Sequence, residues 1–116
     1  MDRNDIFELK KKCLESQDRE VFYGAKINSR IQDAYLGMGF LEPGEEDRKG
    51  GPGKGHEEII YILNGKVQVS IDGRELILED GETFFIEDGY KIILKNLTDE
   101  RCYFVIAGGH TKHHSH

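Results

Sequence analysis

Apolar and polar residues alternate along the second half of the chain, the pattern of strands that are buried on one face. Every second residue from Lys66 to Ile71 is apolar, and the Asp72-Gly73 pair that follows is typical of a tight hairpin turn. Leu76 and Leu78 continue the alternation on the return strand. Further strands are predicted at 83–86, 91–94 and 102–106, among the turn pairs Asp80-Gly81 and Asp88-Gly89. This half of the chain predicts an antiparallel sandwich or barrel.

The first half of the chain predicts one helix and two strands. The helix is expected from Asp5 to Leu14, because Asp5 with Glu8 three residues later resembles a capping box. Its apolar face would consist of Ile6, Phe7, Leu9, Cys13 and Leu14. Strands are predicted at 20–25 and 33–41. The second of them would carry Ala34, Leu36, Met38 and Phe40 on one face and Gly37 and Gly39 on the other.

A strand rich in β-branched residues, from His56 to Gly65, follows a charged and glycine-rich segment. That segment, Pro43 to Gly55, has no apolar residue able to anchor it in a core, so a surface loop is expected. Residues two apart in a strand share a face, so Lys54, His56 and Glu58 would point the same way. This face is the candidate functional site.

Composition and charge narrow the choice of partner. A chain of 116 residues is long enough for one domain with its own core. Its 22 acidic and 16 basic side chains give a formal net charge of -6, which disfavours nucleic acid and anionic membranes as partners. The start of the sequence has neither a membrane span nor the pattern of a signal peptide, so a cytoplasmic protein is expected. Cys13 and Cys102 are expected to be buried as small apolar residues.

The region from Met38 to Ile106 resembles the cupin superfamily. Glu58 and Gly65 have the spacing that ends the first cupin motif, and Gly81, Gly89 and Asn96 stand at the intervals of the second motif. The resemblance implies an all-β, cupin-type jelly-roll β-barrel with a short N-terminal helix. The expected organisation is a helical segment at 1–19, a barrel domain at 20–107 and a mobile, His-rich tail at 108–116.

The same resemblance implies that most metal-ligand positions are replaced. The histidines of the first motif would fall near Pro52 and Lys54, and the histidine of the second motif falls at Ile92. Only Glu58 remains of the usual ligands, so no metal is expected at the usual cupin site and no cofactor is firmly predicted. A weaker alternative keeps a divalent metal through His56 and Glu58 with a third ligand from elsewhere.

The candidate site can be interpreted in several ways. In the structural interpretation, Glu58 is a carboxylate paired with Lys54 or His56. In the functional one, a barrel pocket binds a small polar or anionic molecule. Its predicted lining is Lys54, His56, Glu58, Tyr90 and Ile92. The alternatives are a metal-independent sugar isomerase or epimerase, with Glu58 and His56 as catalytic candidates, and a metal-dependent cupin enzyme with a rearranged site. Whether the protein is an enzyme stays open.

Two predictions concern partners and the C-terminal segment. A homodimer is expected, because exposed sheet edges and an apolar N-terminal face both favour association. The segment Gly108 to His116 holds four of the five histidines of the sequence. It would bind added Ni or Zn without contributing to the fold.

Overall fold

The computed structural model describes residues 3–111, which form nine strands, one α-helix and a 3₁₀ turn. The turn covers Arg3–Asp5 and the helix α1 covers Leu9–Glu15. The first five strands are β1 (Glu20–Tyr23), β2 (Tyr35–Leu41), β3 (Arg48–Gly50), β4 (His56–Ile62) and β5 (Lys66–Ile71). The remaining four are β6 (Arg74–Glu79), β7 (Thr83–Ile86), β8 (Ile92–Asn96) and β9 (Cys102–His110).

The strands form two antiparallel sheets, as the all-β jelly-roll prediction requires. The five-stranded sheet has the order β1-β2-β9-β4-β7, and the four-stranded sheet has the order β3-β8-β5-β6. The main core lies between the two sheets and contains residues from both. Its largest fully buried side chains include Phe104, Ile60 and Ile62 from the first sheet and Val67, Val69 and Leu94 from the second. The predicted fold class is therefore confirmed.

The β5–β6 hairpin shows why the alternation pattern was informative. Val67 and Val69 are fully buried, whereas Gln68 between them is only half-buried. Asp72 and Gly73 join the strands with φ values of 50° and 75°. These left-handed values match the primed hairpin turns that Asp-Gly favours, so local turn chemistry and burial agree.

Strand β2 is covered on both faces from Gly37 to Leu41. Met38 and Phe40 pack with Cys13 of α1 in a second, smaller core on the outer face of the five-stranded sheet. On the opposite face, a Cβ at Gly37 would lie 2.4 Å from the ring of Phe22, and one at Gly39 would lie 2.4 Å from the ring of Phe104. The two glycines therefore give two aromatic rings room beside the strand, which is the close approach that glycine permits.

The N-terminal segment differs from the single helix predicted at Asp5 to Leu14. Only Leu9–Glu15 is α-helical, and its N-cap residue Glu8 makes no side-chain capping hydrogen bond. Asp5 instead forms an ion pair with Arg30, 3.5 Å away, so the predicted capping box is wrong. No helix in residues 3–111 has the length and apolar character needed to cross a membrane.

The segment predicted as a surface loop contains strand β3 and a buried arginine. Arg48 is only 8% exposed, and its guanidinium donates to the carbonyl of Phe40 at 3.0 Å and to Glu45 at 3.0 Å and 3.1 Å. Glu20 lies 3.3 Å away and supplies a second carboxylate. These acceptors compensate the charge of the Arg48 guanidinium. Arg48 can therefore be buried and anchor the segment, although the segment has no apolar residue to do so.

The prediction of a mobile tail from Gly108 onward is also wrong for its first residues. Strand β9 continues to His110, where it pairs with His56, and Gly108 lies between Tyr35 on β2 and Glu58 on β4. Neighbours on both sides hold this end of β9 by backbone pairing, which sequence periodicity does not reveal when the residues are glycines. Residues 112–116 of the predicted tail lie outside the described part of the chain.

Candidate functional site

A tyrosine and a glutamate meet on the interior face of the five-stranded sheet. Tyr35 on β2, Gly108 on β9 and Glu58 on β4 are directly opposite one another in register. The Tyr35 hydroxyl donates to Glu58 Oε2 at 2.7 Å, crossing the intervening strand. This crossing needs a glycine, because a Cβ at position 108 would lie 2.4 Å from the tyrosine ring. Three strands thus fix the position of one hydrogen bond.

Glu58 is a buried carboxylate that is only half satisfied. Its exposure is 6%, and its Oε1 atom is buried without a hydrogen-bond partner among the described residues. Burial raises the pKa of Glu58 above its ordinary value, and this effect exceeds the lowering by the Tyr35 hydrogen bond and by His56. Burial and the bond to Glu58 also raise the pKa of Tyr35, which keeps its hydroxyl protonated as a donor. Burial therefore makes the Glu58 carboxyl group a weaker acid than an exposed glutamate.

Two histidines lie next to this pair, at the end of the barrel that we call the mouth. The rings of His56 and His110 have centroids 4.4 Å apart, and the His56 ring is 6.1 Å from that of Tyr35. The backbone N–H of His110 donates to Asp33 Oδ1 at 2.6 Å, and its Nδ1 contacts the same oxygen. Asp33 therefore orients His110, whereas His56 Nδ1 lies 3.4 Å from the carbonyl oxygen of Lys54.

A cavity of about 280 Å³ opens at the mouth, which we call the mouth pocket. One side is formed by Phe22, Tyr35, His56 and His110, and the other by the loop between β1 and β2. The loop contributes Lys26 and Ile31 among its lining residues. Tyr35 lines this cavity and also donates a hydrogen bond to Glu58. The Glu58 carboxylate is therefore linked to the pocket through the Tyr35 side chain.

The structure brings together only part of the predicted site. His56 lines the mouth pocket, and Glu58 lies behind Tyr35. Lys54 and Tyr90 are exposed and are not among the pocket lining residues, and Ile92 is 2% exposed within the main core. The expected pairing of Glu58 with Lys54 is absent among the described contacts, and Tyr35 takes its place.

Three residues of the arrangement are missing from the predicted site, namely Tyr35, Gly108 and His110. Their roles depend on strand register, since they lie on β2 and β9 and approach Glu58 and His56 only when those strands pair with β4. The one available signal was that Tyr35 shares a face with Gly37 and Gly39, which leaves room for large rings.

The residues at the usual cupin ligand positions do not fit a divalent metal. The side chains of Pro52 and Ile92 have no atom that can bind a metal, and both residues are buried. Lys54 is exposed. Across residues 3–111 no group of three or more His, Cys, Asp or Glu side chains is arranged to hold a metal ion. His56 and Glu58 thus have no third ligand among them, and the expected lack of a barrel metal stays a prediction.

Comparison with solved structures finds the same fold at low sequence identity. A cupin protein from Bacteroides fragilis has a TM-score of 0.66 at 23% identity, over 83% of this chain and 80% of that chain. A predicted oxalate decarboxylase from Thermotoga maritima has a TM-score of 0.66 at 18% identity, over 79% of each chain. A sugar phosphate isomerase of the cupin superfamily from Silicibacter pomeroyi has a TM-score of 0.61 at 18% identity, over 81% of this chain and 61% of that chain.

The family comparison agrees with the fold. No curated protein matches the sequence. The family model described as the cupin domain matches residues 40–108, which is more than half of the chain and includes Tyr103, Gly108 and all of β4 to β8. The chain therefore belongs to the cupin family.

Proposed function

We propose that this cupin-domain protein binds a small polar or anionic molecule in the mouth pocket, without a metal at the usual cupin position. The observation that carries the proposal is the unpaired Oε1 atom of Glu58. A buried polar atom without a partner is costly in a folded protein, so it is retained where it has a use. Tyr35 separates this carboxylate from the mouth pocket, so a ligand that donates to the Tyr35 hydroxyl there would act on Glu58 through that residue.

The polar side chains around the pocket can bind an anionic or hydroxylated ligand. Lys26, His56 and His110 line it, and each offers a donor to a ligand carboxylate, phosphate or hydroxyl. Phe22 and Ile31 provide apolar walls that exclude water from part of the ligand. A few polar groups in a mostly apolar pocket are typical of small-molecule sites.

The proposal can be tested by ligand binding to matched tyrosine variants. A thermal-shift screen of sugars, sugar phosphates and small carboxylates would identify a probe, because binding stabilises the native state. Calorimetry with that probe should then show about 10-fold weaker binding for Tyr35→Phe and for His56→Ala, the loss expected for one hydrogen bond. Tyr90→Phe is the control, since Tyr90 is exposed and lies outside the pocket lining. Equal affinity in all four proteins would reject the mouth pocket as the binding site.

A second candidate function, proton transfer in an isomerase or epimerase, is favoured by the raised pKa of Glu58. A probe from the screen should then lose a carbon-bound proton to solvent in D₂O, and this exchange should stop in Glu58→Gln. The exchange is measured by NMR. Tight binding without exchange would support a binding protein over an enzyme. The cytoplasmic location and the absence of nucleic-acid and membrane partners stay predictions from composition.

A further inference from the structure

Two histidines from different strands lie side by side at the mouth of the barrel. His56 is the first residue of β4 and His110 the last residue of β9, and the two are directly opposite each other in register. Their ring centroids are 4.4 Å apart, with an angle of 37° between the ring planes. Strand pairing therefore holds two imidazole rings at a set distance, as a metal site in a folded protein requires.

Each of the two rings has an oxygen atom on its Nδ1 side. Nδ1 of His110 contacts Asp33 Oδ1, and Nδ1 of His56 lies 3.4 Å from the carbonyl oxygen of Lys54. A histidine that binds a metal usually donates its other ring N–H to a carboxylate or to a backbone carbonyl group. Both contacts favour the tautomer that carries its proton on Nδ1. Nε2 is then the nitrogen of each ring that would bind a metal ion.

The separation of the rings is close to the one that a shared metal ion requires. Zinc binds imidazole nitrogen at about 2.0–2.1 Å in tetrahedral geometry, which places the centroids of two bound rings about 5 Å apart. The observed 4.4 Å is shorter than this by less than about 1 Å. His110 is exposed and His56 is half-buried, so small changes of their side-chain torsions would be enough to open the pair.

The sequence after His110 supplies further imidazoles next to this pair. Thr111 is held at the mouth, because its backbone N–H donates at 2.9 Å to the carbonyl oxygen of Gly55, the residue before β4. The chain continues with Lys112-His113-His114-Ser115-His116. His113 and His114 follow Thr111 by two and three residues, so chain length alone keeps them within about 11 Å of it. A third imidazole is therefore within reach of the pair.

We propose that His56 and His110 bind one zinc ion, or a divalent ion with the same ligand preference, at the mouth of the barrel. His113 or His114 would supply the third protein ligand, and water the fourth. Imidazole is a good ligand for zinc, and three protein ligands with one water are typical of zinc sites that keep an open position. The proposed site uses none of the positions of the usual cupin ligands.

This site differs from metal binding by the terminal histidines alone. Its two ligands from β4 and β9 meet only when those strands are paired, so the ion binds the folded chain more tightly than the unfolded chain. An ion that does so stabilises the native state, and zinc should raise the thermal midpoint. An ion held by the terminal segment alone would leave the midpoint unchanged, because that segment would bind it in the unfolded chain as well.

The position of the ion would also change the mouth pocket. His56 and His110 both line that pocket, so the ion would add positive charge and an open coordination position to its wall. Metal binding itself does not depend on the proposed small molecule, since all the protein ligands come from this chain. Zinc can therefore be tested alone.

The test is zinc binding by full-length variants after treatment with a chelator. Calorimetry of the wild type should give one zinc ion per chain, and zinc should raise its thermal midpoint. His56→Ala and His110→Ala should each weaken zinc binding by about 100-fold or more, since loss of a ligand costs more than loss of the group that orients it. Lys54→Ala is the control, because the Lys54 side chain is exposed and only its carbonyl oxygen contacts His56.

Two further variants examine the rest of the site. Asp33→Asn should weaken zinc binding about 10-fold, the loss expected when a carboxylate that orients a ligand is replaced. A combined variant with alanine at all three histidines after Thr111 should weaken binding as much as His56→Ala. NMR of the ring nitrogens should show that zinc shifts Nε2 of His56 and leaves its Nδ1 protonated.

If His56→Ala does not fold, His56→Asn takes its place, because it keeps a polar side chain at the half-buried position. Zinc affinity that stays unchanged in the His56 and His110 variants would overturn the proposal and assign the ion to the terminal segment alone. Unchanged affinity in the combined histidine variant, coordination through Nδ1 of His56, or a wild type that binds no zinc would overturn it as well.

Discussion

Two buried polar side chains lie at opposite ends of the barrel interior, and their hydrogen bonding differs. Asn96 at the closed end is 2% exposed, and Glu58 near the mouth is 6% exposed. Each occupies a position of the cupin motifs. Every hydrogen-bonding atom of the Asn96 side chain has a partner, whereas Glu58 Oε1 has none among the described residues. Two side chains of similar burial therefore differ in their hydrogen bonding.

Asn96 joins the end of β2 to the turn that follows β8. Its Nδ2 donates to the carbonyl oxygens of Leu41, Glu42 and Glu100, at 3.3, 3.0 and 2.7 Å. Its Oδ1 accepts from the backbone N–H and the hydroxyl of Thr98, both at 2.8 Å. A fully bonded amide has no capacity left for a ligand, so Asn96 is structural. The unmet capacity of Glu58 is what makes it the candidate functional group.

The largest effect is expected from Asn96→Ala. The substitution leaves buried carbonyl groups without their donor and should reduce the free energy of unfolding by about 3 kcal/mol. Urea denaturation measures the loss. Asn64→Ala is the comparison, because Asn64 is only half-buried and bonds to the backbone of Arg101 and Tyr103; about 1 kcal/mol is expected there. Equal losses in the two variants would contradict a special role for Asn96.

Gly108→Ala should have the next largest effect, and it should act at the mouth. The new Cβ would lie 2.4 Å from the Tyr35 ring and 2.8 Å from the backbone oxygen of Glu57, which cannot move freely. A loss of about 2 kcal/mol is expected, with displacement of Tyr35 and weaker binding of any ligand found. The neighbouring Gly109→Ala is the control, because its Cβ would first meet Asp33 at 3.5 Å. Similar stability of the two variants would show that the crossing of Tyr35 over β9 does not contribute to the stability of the fold.

Tyr35→Phe should reduce the free energy of unfolding by about 1 kcal/mol, since one buried hydrogen bond is lost. That bond lowers the pKa of Glu58, so its loss should raise this pKa further. Carbon-13 NMR of the carboxyl group across a pH series reports the shift. Tyr90→Phe should change neither quantity. A Glu58 pKa that falls in Tyr35→Phe would refute the assigned hydrogen bond.

The smallest effect, below about 1 kcal/mol, is expected from Glu58→Gln, and it depends on pH. The folded-state pKa of Glu58 is raised, so ionisation is more costly in the folded than in the unfolded protein, and wild-type stability falls as pH rises through that pKa. Glutamine does not ionise and still accepts from Tyr35. The variant should therefore gain stability relative to the wild type as pH rises above the ordinary glutamate pKa of 4.5, and it should be the more stable protein at alkaline pH.

Urea denaturation of Glu58→Gln and wild type at mildly acidic and mildly alkaline pH measures this difference. Glu57→Gln is the control, because Glu57 is exposed on the opposite face of the same strand. Parallel curves of unfolding free energy against pH for wild type and Glu58→Gln would show that desolvation of Glu58 does not affect stability.

Local pattern was sufficient to predict much of the fold. The alternation from Lys66 to Ile71, the Asp72-Gly73 turn and the strand at 83–86 all appear as predicted, because each depends on neighbours in sequence. The buried Arg48 was not predictable in this way. Its burial depends on Glu20, Glu45 and a carbonyl of β2, and only the folded chain brings these groups together.

The candidate site was predictable to a smaller extent. His56 and Glu58 share a face because residues two apart in a strand point the same way. Tyr35 and His110 lie beside that face only because β9 pairs with both β2 and β4. Lys54 fits the period as well, but it precedes β4, which begins at His56, and is exposed. Periodicity identifies a face only within the strand, and register decides which distant residues lie beside it.

The position of β9 has a consequence for how the protein folds during synthesis. It is the last strand of residues 3–111, yet it lies between β2 and β4 in the five-stranded sheet. Until β9 has emerged from the ribosome, β2 and β4 each have an unpaired edge, and the Tyr35–Glu58 bond that spans β9 has no support. Contacts so distant in sequence make folding slow and expose edges that invite wrong pairing. The nascent chain is thus most vulnerable to aggregation just before the candidate site can assemble.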